Sequence, residues 1–177
     1  MHKLNGEALG RKSVEEFRQS EKLPVTVVLD NVRSMHNVGS VFRTADAFLL
    51  ERICLCGYTP RPPHRDIQKT ALGATESVAW SYHETTEEAV RSLKEQGYAV
   101  WAVEQAAGSV ALQDVRPAAK TAVVFGNEVE GVGAEVLRLC DGALEIPQWG
   151  TKHSLNVSVA AGIVLWEIRK TFIHVDV

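Results

Sequence analysis

A glycine-punctuated loop in the second half of the chain has the composition of a ligand-binding turn. It reads FGNEVEGVG over residues 125–133 and completes the apolar run Thr121–Phe125. Glycine lets the backbone turn sharply and approach a ligand closely. The spacing of these glycines matches neither a Walker A loop nor the dinucleotide fingerprint GxGxxG. The loop therefore argues against a nucleoside triphosphatase or a dehydrogenase, and a purely structural turn remains an equally good interpretation.

A polar cluster stands at the start of the last predicted helix. The segment IPQWGTKHSLNVSV, residues 146–159, leads into residues 157–166, which are apolar nearly all round and must be covered on several sides. Ser154, Asn156 and Ser158 lie at this entrance, where a buried polar group without a hydrogen-bond partner costs about 1–3 kcal/mol. Two interpretations stay open. Either Ser154 caps the helix and Asn156 satisfies its free end, or these side chains contact a ligand.

An arginine on the first predicted helix of the main part of the chain is the third chemical candidate. The segment NVGSVFRTA, residues 37–45, follows the first apolar run and a short loop, and Asn37 could cap the helix. Three- and four-residue spacing places Gly39, Arg43 and Asp46 together on the side away from the core. Arg43 is then either a surface residue paired with Asp46 or a catalytic group. The side facing the core is predicted to hold Val38, Val41, Phe42 and Ala45.

The order of apolar runs indicates the fold that must position these residues. The predicted strands are Val25–Leu29, Arg52–Gly57, Val78–Tyr82, Tyr98–Val103 and Thr121–Phe125, and the predicted helices are Val38–Leu49, Thr86–Gln96 and Leu155–Lys170, with a further helical pattern after residue 133. Strands that alternate with helices favour an α/β fold, a mostly parallel sheet covered by helices on both faces. Ligands of such sheets bind outside the carboxyl ends of the strands, so the polar loops after the strands are the expected site.

Length and composition suit one globular domain. The chain has 177 residues, of which 45% are hydrophobic and 23% charged, as in ordinary globular proteins. We expect residues 1–23 to form an N-terminal extension with a short helix and residues 24–177 to form the domain. The polar N-terminus has no apolar run able to act as a signal sequence, and nowhere do about 18 apolar residues occur together. We therefore expect a cytoplasmic protein with no membrane partner.

The charge of the chain gives only weak support to nucleic-acid binding. Its net charge of −3 is unfavourable for contact with phosphates. Residues 1–75 nevertheless hold 11 Lys and Arg against 8 Asp and Glu, whereas residues 76–177 hold 8 against 14. The basic half could meet RNA, although such an asymmetry is more often only a solvated surface. The three prolines of the segment 58–66, YTPRPPHRD, predict an exposed loop whose free charges are Arg61, His64 and Arg65.

The cysteines give no reason to expect a metal or a disulfide. Cys54, Cys56 and Cys140 are odd in number and lack the paired spacing of a zinc site or a disulfide framework. They lie in or beside apolar segments. We therefore interpret all three as buried free thiols.

Taken together, the three polar segments resemble the signature motifs of one enzyme family. NVGSVFRTA is similar to motif 1, FGNEVEGVG to motif 2 and IPQWGTKHSLNVSVAAGI to motif 3 of the SpoU/TrmH family of SPOUT methyltransferases, and the similarity runs from about Val25 to Arg169. The resemblance implies transfer of a methyl group from S-adenosylmethionine to a ribose 2′-hydroxyl of tRNA or rRNA, with S-adenosylhomocysteine as the other product. It also implies a homodimer and a deep C-terminal trefoil knot, which the rarity of knots would otherwise exclude.

The resemblance assigns roles to individual residues. Arg43 matches the motif 1 arginine associated with catalysis, and Asn37 matches the asparagine beside it. Glu128 matches the motif 2 glutamate, while Ser154 and Asn156 match the motif 3 serine and asparagine. Cofactor contacts in the family are largely main-chain, and they point here to Val103, Gly126, Asn127, Ile146 and Leu155.

Charge stabilisation suits Arg43 better than proton abstraction. A guanidinium stays protonated under ordinary conditions, which makes it a difficult general base. We expect Arg43 to hold an RNA phosphate and to stabilise the negative charge that develops on the ribose oxygen, while positioning supplies much of the rate. Glu128, Ser154 and Asn156 would orient Arg43 or the ribose, and no metal is required.

Two other functions remain compatible with the sequence. A non-catalytic RNA-binding protein, or a dimerising partner of another enzyme, could keep the fold without turnover, although the intact candidate residues argue against it. A nucleotide or dinucleotide enzyme on a doubly wound sheet would be expected to show a glycine fingerprint that this chain lacks. The three motifs therefore favour the methyltransferase.

Overall fold

A seven-stranded parallel sheet is the centre of the fold. The computed structural model describes residue 2 and residues 10–173. Its strands are β1 Leu23–Asp30, β2 Leu50–Cys56, β3 Ala79–His83, β4 Ala99–Val103, β5 Val110–Ala111, β6 Thr121–Phe125 and β7 Gly142–Glu145. They are ordered β3-β2-β1-β6-β4-β7-β5, and every pairing is parallel. The predicted α/β class with a mostly parallel sheet is confirmed.

Helices cover both faces of the sheet. Successive strand residues point to opposite faces, and the strands are apolar enough that both faces must be buried. Val27 and Leu29 of β1 belong to one apolar cluster, and Val28 belongs to the other. The helices that contribute to the first cluster are α1 Val14–Gln19, α2 Met35–Ala47, α3 Arg65–Ala71, α4 Ala74–Ser77 and α7 Val157–Ile173, and those of the second are α5 Thr86–Glu95 and α6 Ala134–Leu139. A 3-10 helix, Leu112–Asp114, follows β5.

The differences from the predicted elements concern short segments. Each predicted strand and helix overlaps an observed one, but β5, β7, α4 and the 3-10 helix were not expected, because two to four residues are too few for a period to show. The predicted loop 58–66 ends early. Helix α3 begins at Arg65, since the three prolines all precede it and the Nδ1 atom of His64 accepts a hydrogen bond from the backbone N–H of Asp66.

Helix α2 buries more of its surface than its periodicity indicates. The predicted inward side chains of Val38, Val41, Phe42 and Ala45 are fully buried. Gly39 is also buried, because α3 crosses α2 there so closely that a Cβ would collide with the carbonyl oxygen of Ile67. The placement of Gly39 beside Arg43 on the outer side is therefore wrong. The N-cap is Ser34, whose Oγ accepts from the N–H of Asn37, so the expected capping role of Asn37 is also wrong.

A short helix lies within the predicted N-terminal extension. Helix α1 begins with a capping box between Ser13 and Glu16, and its Phe17 is buried in the first apolar cluster. The guanidinium of Arg18 donates to the carbonyl of Glu76 at 3.0 and 2.6 Å, which ties α1 to α4. The remainder of the predicted extension before Gly10 lies almost wholly outside the described residues. The division of the chain at residue 23 and the trefoil knot stay predictions. No helix among the described residues is long and apolar enough to cross a bilayer.

Candidate active site

The topology of the sheet brings the three motif loops to one edge. Strand order runs outward from β1 through β2 to β3 on one side and through β6, β4 and β7 on the other. In parallel sheets, ligands bind outside the carboxyl ends of the strands at the point where the order reverses. Leu29 pairs with Phe125, Phe125 pairs with Val103 and Val103 pairs with Leu144, so these four strands end side by side. The loops after β1, β6 and β7 therefore emerge together.

One pocket of about 480 Å³ opens between the motif 2 and motif 3 loops. This volume lies within the range of small-molecule and cofactor sites. Its lining includes all five residues predicted to contact a cofactor: Val103, Gly126, Asn127, Ile146 and Leu155. Three of the five predicted catalytic residues, Glu128, Ser154 and Asn156, also line it. The structure thus brings eight of the ten predicted residues together, while their roles stay predictions.

The carboxylate of Glu128 ties motif 2 to motif 1. Its Oε2 accepts from the N–H of Arg33 at 2.9 Å, and its Oε1 accepts from the N–H of Ser34 and from the Nδ2 of Asn37, both at 3.0 Å. Burial alone would raise the pKa of Glu128, but the hydrogen bonds from Arg33, Ser34 and Asn37 favour the charged form and the pKa is lowered. The ionised carboxylate of Glu128 therefore fixes the position of the loop before α2.

Asn156 ties motif 3 to the same point. Its Nδ2 donates to the Oδ1 of Asn37 at 3.2 Å, while its own Oδ1 accepts from the N–H and Oγ of Ser158 at 2.9 and 2.7 Å. Because α7 begins at Val157 and this side chain bonds its first turn, Asn156 caps the helix. The interpretation of Ser154 as the cap is wrong. The Ser154 side chain is instead exposed at the pocket wall.

The side chain of Asn127 shapes the motif 2 loop from within. Its Oδ1 accepts from the N–H groups of Val129 and Glu130 at 2.8 and 3.0 Å. Its Nδ2 donates to the carbonyl of Asn31 and to the hydroxyl of Tyr58, both at 2.8 Å. All the hydrogen-bonding capacity of this buried amide group is used inside the protein, so Asn127 positions the loop that borders the pocket.

Two carboxylates that the sequence reasoning missed also hold this loop. Glu104, directly after β4, lines the pocket, and its Oε2 accepts from the N–H of Val132 at 3.0 Å. The buried Asp30, at the end of β1, accepts from the N–H of Gly133 at 3.1 Å and from the Oγ1 of Thr86 at 2.5 Å. In the sequence, only their position could have indicated these two residues, because each stands at the carboxyl end of a strand that neighbours β6.

Arg43 lies apart from the pocket within one chain. Its side chain is exposed on the outer side of α2 and is not among the lining residues. Within residues 10–173 it takes part in no hydrogen bond or ion pair. The alternative in which Arg43 pairs with Asp46 is wrong, because the carboxylate of Asp46 accepts from the hydroxyl of Ser77 instead. Among the described residues, Arg43 thus has no partner that would explain it structurally.

The outer side of α7 carries an exposed apolar stripe. Val159, Ile163 and Trp166 follow one another at helical spacing and are 51%, 40% and 48% exposed. The ring of Trp166 meets that of Phe48, the residue after α2, with centroids 5.7 Å apart. The expectation that this helix is covered on several sides is thus only partly met inside one chain.

The cysteines are free thiols. Cys54 and Cys56 are buried, as expected, and burial raises the pKa of both thiols. Cys140 is only partly buried, so its predicted full burial is wrong, although the same effect raises its pKa to about 11. Among the described residues, no group of His, Cys, Asp and Glu side chains is arranged to hold a metal ion.

Comparison with known proteins gives relatives of one kind. A tRNA (guanosine(18)-2′-O)-methyltransferase of Thermus thermophilus is 36% identical over 160 residues, which cover 90% of this chain and 81% of the relative. The 23S rRNA (guanosine-2′-O-)-methyltransferase RlmB of Vibrio parahaemolyticus is 33% identical over 162 residues, which cover 90% of this chain and 64% of the relative.

Solved structures with the same fold belong to similar proteins. The TrmH/SpoU tRNA modifying enzyme of A. aeolicus superposes with a TM-score of 0.80 at 26% identity, covering 91% of this chain and 81% of that one. An AdoMet-bound rRNA methyltransferase from Sinorhizobium meliloti gives 0.79 at 26% identity, covering 94% and 70%. The profile of the SpoU rRNA Methylase family matches residues 24–166, which include the sheet, the pocket and all three motif loops. The chain therefore belongs to the SpoU rRNA Methylase family.

Proposed function

We propose that this protein transfers a methyl group from S-adenosylmethionine to a ribose 2′-hydroxyl of tRNA or rRNA. The observation that carries the proposal is the meeting of three distant loops at one pocket, joined by the hydrogen bonds of Glu128, Asn37 and Asn156. The RNA class is supported by relatives named for methylation of guanosine in tRNA and in 23S rRNA. A cytoplasmic location fits this function and stays a prediction.

The chemistry of the pocket suits S-adenosylmethionine. The described lining contains the carboxylates of Glu104, Glu128, Glu130 and Glu145 and no Lys or Arg, so a sulfonium cation would be attracted electrostatically. At Gly126 a Cβ would collide with the backbone of Gly131 and Val132, so the turn is too close for a side chain. Main-chain groups of Gly126, Ile146 and Leu155 would hold the cofactor. When bound, it supplies a methyl group on an electrophilic sulfonium.

The residues around the pocket would position the loops, bind the ribose and stabilise the charge that develops on its oxygen. Glu128, Asn37 and Asn156 hold the three loops in fixed relative positions, which lets the protein orient the ribose before reaction. The Ser154 hydroxyl is exposed at the pocket wall and can hydrogen-bond the ribose. A guanidinium at the ribose oxygen would stabilise its developing negative charge. Arg43 is the arginine we assign to this task.

We propose that Arg43 acts in the pocket of a second protomer. We infer that the protein is a homodimer formed over the face that α2 and α7 share, because this face carries the exposed stripe Val159, Ile163 and Trp166. A two-fold interface uses the same surface on both subunits. The exposed Arg43 of α2 would then complete the pocket of the partner, so that each site contains loops of one chain and a guanidinium of the other.

Ligand binding and methyl transfer test the proposal in two steps. S-adenosylmethionine should raise the melting temperature of the protein, whereas NAD and ATP should leave it unchanged, because the loop lacks both nucleotide fingerprints. Purified protein should then transfer labelled methyl groups from S-adenosylmethionine to tRNA or rRNA. Preferential stabilisation by NAD would overturn the proposal. Binding of S-adenosylmethionine without transfer to any RNA would favour the non-catalytic RNA-binding alternative.

A further inference from the structure

An exposed group of planar side chains leads away from the pocket toward the edge of the sheet. We call it the aromatic strip and define it by Tyr58 and Arg61, in the loop after β2, and by Trp80 and Tyr82, on strand β3. The strand β3 is an outer strand of the sheet. Tyr58, Trp80 and Tyr82 are 59%, 37% and 39% exposed. Three exposed aromatic rings in one region need an explanation beyond the core.

The strip begins at the pocket wall. The hydroxyl of Tyr58 accepts a hydrogen bond of 2.8 Å from the Nδ2 of Asn127, a residue that lines the pocket. The backbone N–H of Tyr58 donates to the Oδ1 of Asn31 at 3.2 Å. Both contacts fix the hydroxyl end and the backbone of Tyr58 while its ring remains open to solvent. The exposed ring of Tyr58 is therefore held beside the loop that borders the pocket.

The outer part of the strip combines a cation with a ring. The guanidinium carbon of Arg61 lies 4.2 Å from the ring centroid of Tyr82, the distance of a cation–π contact. Trp80 stands two residues before Tyr82 on the same face of β3. Within residues 10–173, Arg61 forms no ion pair, and the neighbouring Arg65 is exposed and likewise forms none. The positive charges of Arg61 and Arg65 are therefore available to a partner.

We propose that the aromatic strip binds unpaired nucleotides of the RNA next to the ribose that is methylated. Single-stranded nucleic acid binds where positive charge tracks the phosphates and aromatic or guanidinium planes stack on the bases. Both features are present, and the hydrogen bond between Tyr58 and Asn127 connects them to the pocket. The substrate class is then a ribose in a loop or another unpaired segment, not one inside a duplex. This inference rests on the proposed function for the identity of the pocket.

Direct binding of RNA tests the strip without turnover. The probes are an unstructured oligoribonucleotide of about 12 nucleotides, within the usual site size for single strands, and a duplex of the same length. Fluorescence anisotropy should show tighter binding of the single strand. Tyr58→Leu and Arg61→Ala should each weaken that binding about 10-fold, the scale of one lost stacking contact. Arg61→Ala should also lower the slope of log Kd against log salt by about 0.7, as expected for one lost phosphate contact on a single strand.

Two variants serve as controls. Tyr58→Phe keeps the ring and removes only the hydroxyl that Asn127 contacts, so it should stay within about 2-fold of the wild type if stacking dominates. Arg91→Ala removes an exposed arginine of α5, on the other face of the sheet, and should not change RNA binding. The affinity for S-adenosylmethionine, measured by calorimetry, should be the same in Arg61→Ala, Arg91→Ala and the wild type.

Three results would overturn the proposal. They are wild-type RNA affinity in both Tyr58→Leu and Arg61→Ala, equal or tighter binding of the duplex, and a change in oligomeric mass in either variant, which would make the strip a contact between protein copies. Failure of the proposed function looks different. Strip-dependent binding of the single strand by a wild-type protein that transfers no methyl group would refute the methyltransferase and leave the strip in place.

Discussion

The Nδ2 of Asn156 donates a hydrogen bond of 3.2 Å to the Oδ1 of Asn37, although 119 residues separate the two in the chain. Asn37 donates in turn to Glu128, which accepts from the backbone before α2. One residue of each motif therefore takes part in a continuous chain of hydrogen bonds. This chain is the physical reason that three separate loops form one site.

Asn37→Ala should loosen the site, because it removes the hydrogen bonds that the Asn37 side chain forms with Glu128 and with Asn156. The nearby Ser40→Ala, on the same helix, is the matched control. We expect Asn37→Ala to lower the free energy of unfolding by about 1–3 kcal/mol, the usual net value of two hydrogen bonds. It should reduce kcat/KM more than about 10-fold, because a small misplacement of reacting groups is costly. If Asn37→Ala were as active as Ser40→Ala, the proposed role of these hydrogen bonds would be contradicted.

Arg43→Ala should separate chemistry from cofactor binding. Arg43 is not among the pocket-lining residues of its own chain, so the affinity for S-adenosylmethionine should be unchanged. Loss of a preorganised donor in the transition state should lower single-turnover methyl transfer by at least about 100-fold. Arg91→Ala provides the control for loss of a surface arginine. Near-wild-type transfer by Arg43→Ala would show that its assignment is wrong.

Mixed dimers should reveal which chain supplies Arg43. Arg43→Ala and Asn156→Ala, each of which we expect to be nearly inactive, are refolded together in equal amounts, so that half of the dimers contain one chain of each kind. If a site uses the pocket of one chain and Arg43 of the other, each mixed dimer has one intact site, and the mixture should recover about a quarter of wild-type activity. A mixture as inactive as its components would place Arg43 and the pocket in the same chain.

The sequence was most informative where local patterns are long. Five strands, the core side of α2 and the parallel α/β class follow from periodicity, because burial repeats over many residues there. The bond between Asn37 and Glu128 joins positions 91 residues apart, so no local pattern could reveal it and only the resemblance pointed to both residues. Spacing alone puts Gly39 of α2 on the side exposed to solvent, whereas the structure buries it. The reason is that helix α3 covers Gly39 and begins inside a predicted loop. Arg43 is assigned to catalysis by its match to motif 1, but helical spacing alone could not show that it lies outside the pocket of its own chain.

Acid should remove the contribution of Glu128 to stability. The pKa of its carboxyl is lowered in the folded state, because hydrogen bonds from Arg33, Ser34 and Asn37 outweigh burial. A lowered pKa means that the stabilisation is present above the unfolded value of about 4.3 and is lost as the pH falls through the folded value. Glu128→Gln should therefore be less stable than the wild type at pH 7, by less than about 1 kcal/mol because the group is largely exposed.

The comparison of Glu128→Gln with the wild type should be made by chemical unfolding from pH 7 down to the lowest pH at which both proteins fold. The gap in unfolding free energy should narrow below about pH 4.3. Glu95→Gln, an exposed glutamate on α5, is the control and should show no comparable gap. A gap for Glu128→Gln that is independent of pH would exclude the ionised carboxylate as its cause.

The position of the transferred methyl group distinguishes a ribose methyltransferase from a base methyltransferase. RNA labelled by the wild-type protein is digested to completion with a nuclease that requires a free 2′-hydroxyl, and the products are separated by chromatography. If the site methylates ribose, the label is found in nuclease-resistant dinucleotides that contain a 2′-O-methylated ribose, and Arg43→Ala protein yields almost none. Label on a base, in products that the nuclease cleaves completely, would contradict the assignment of this site to ribose methylation.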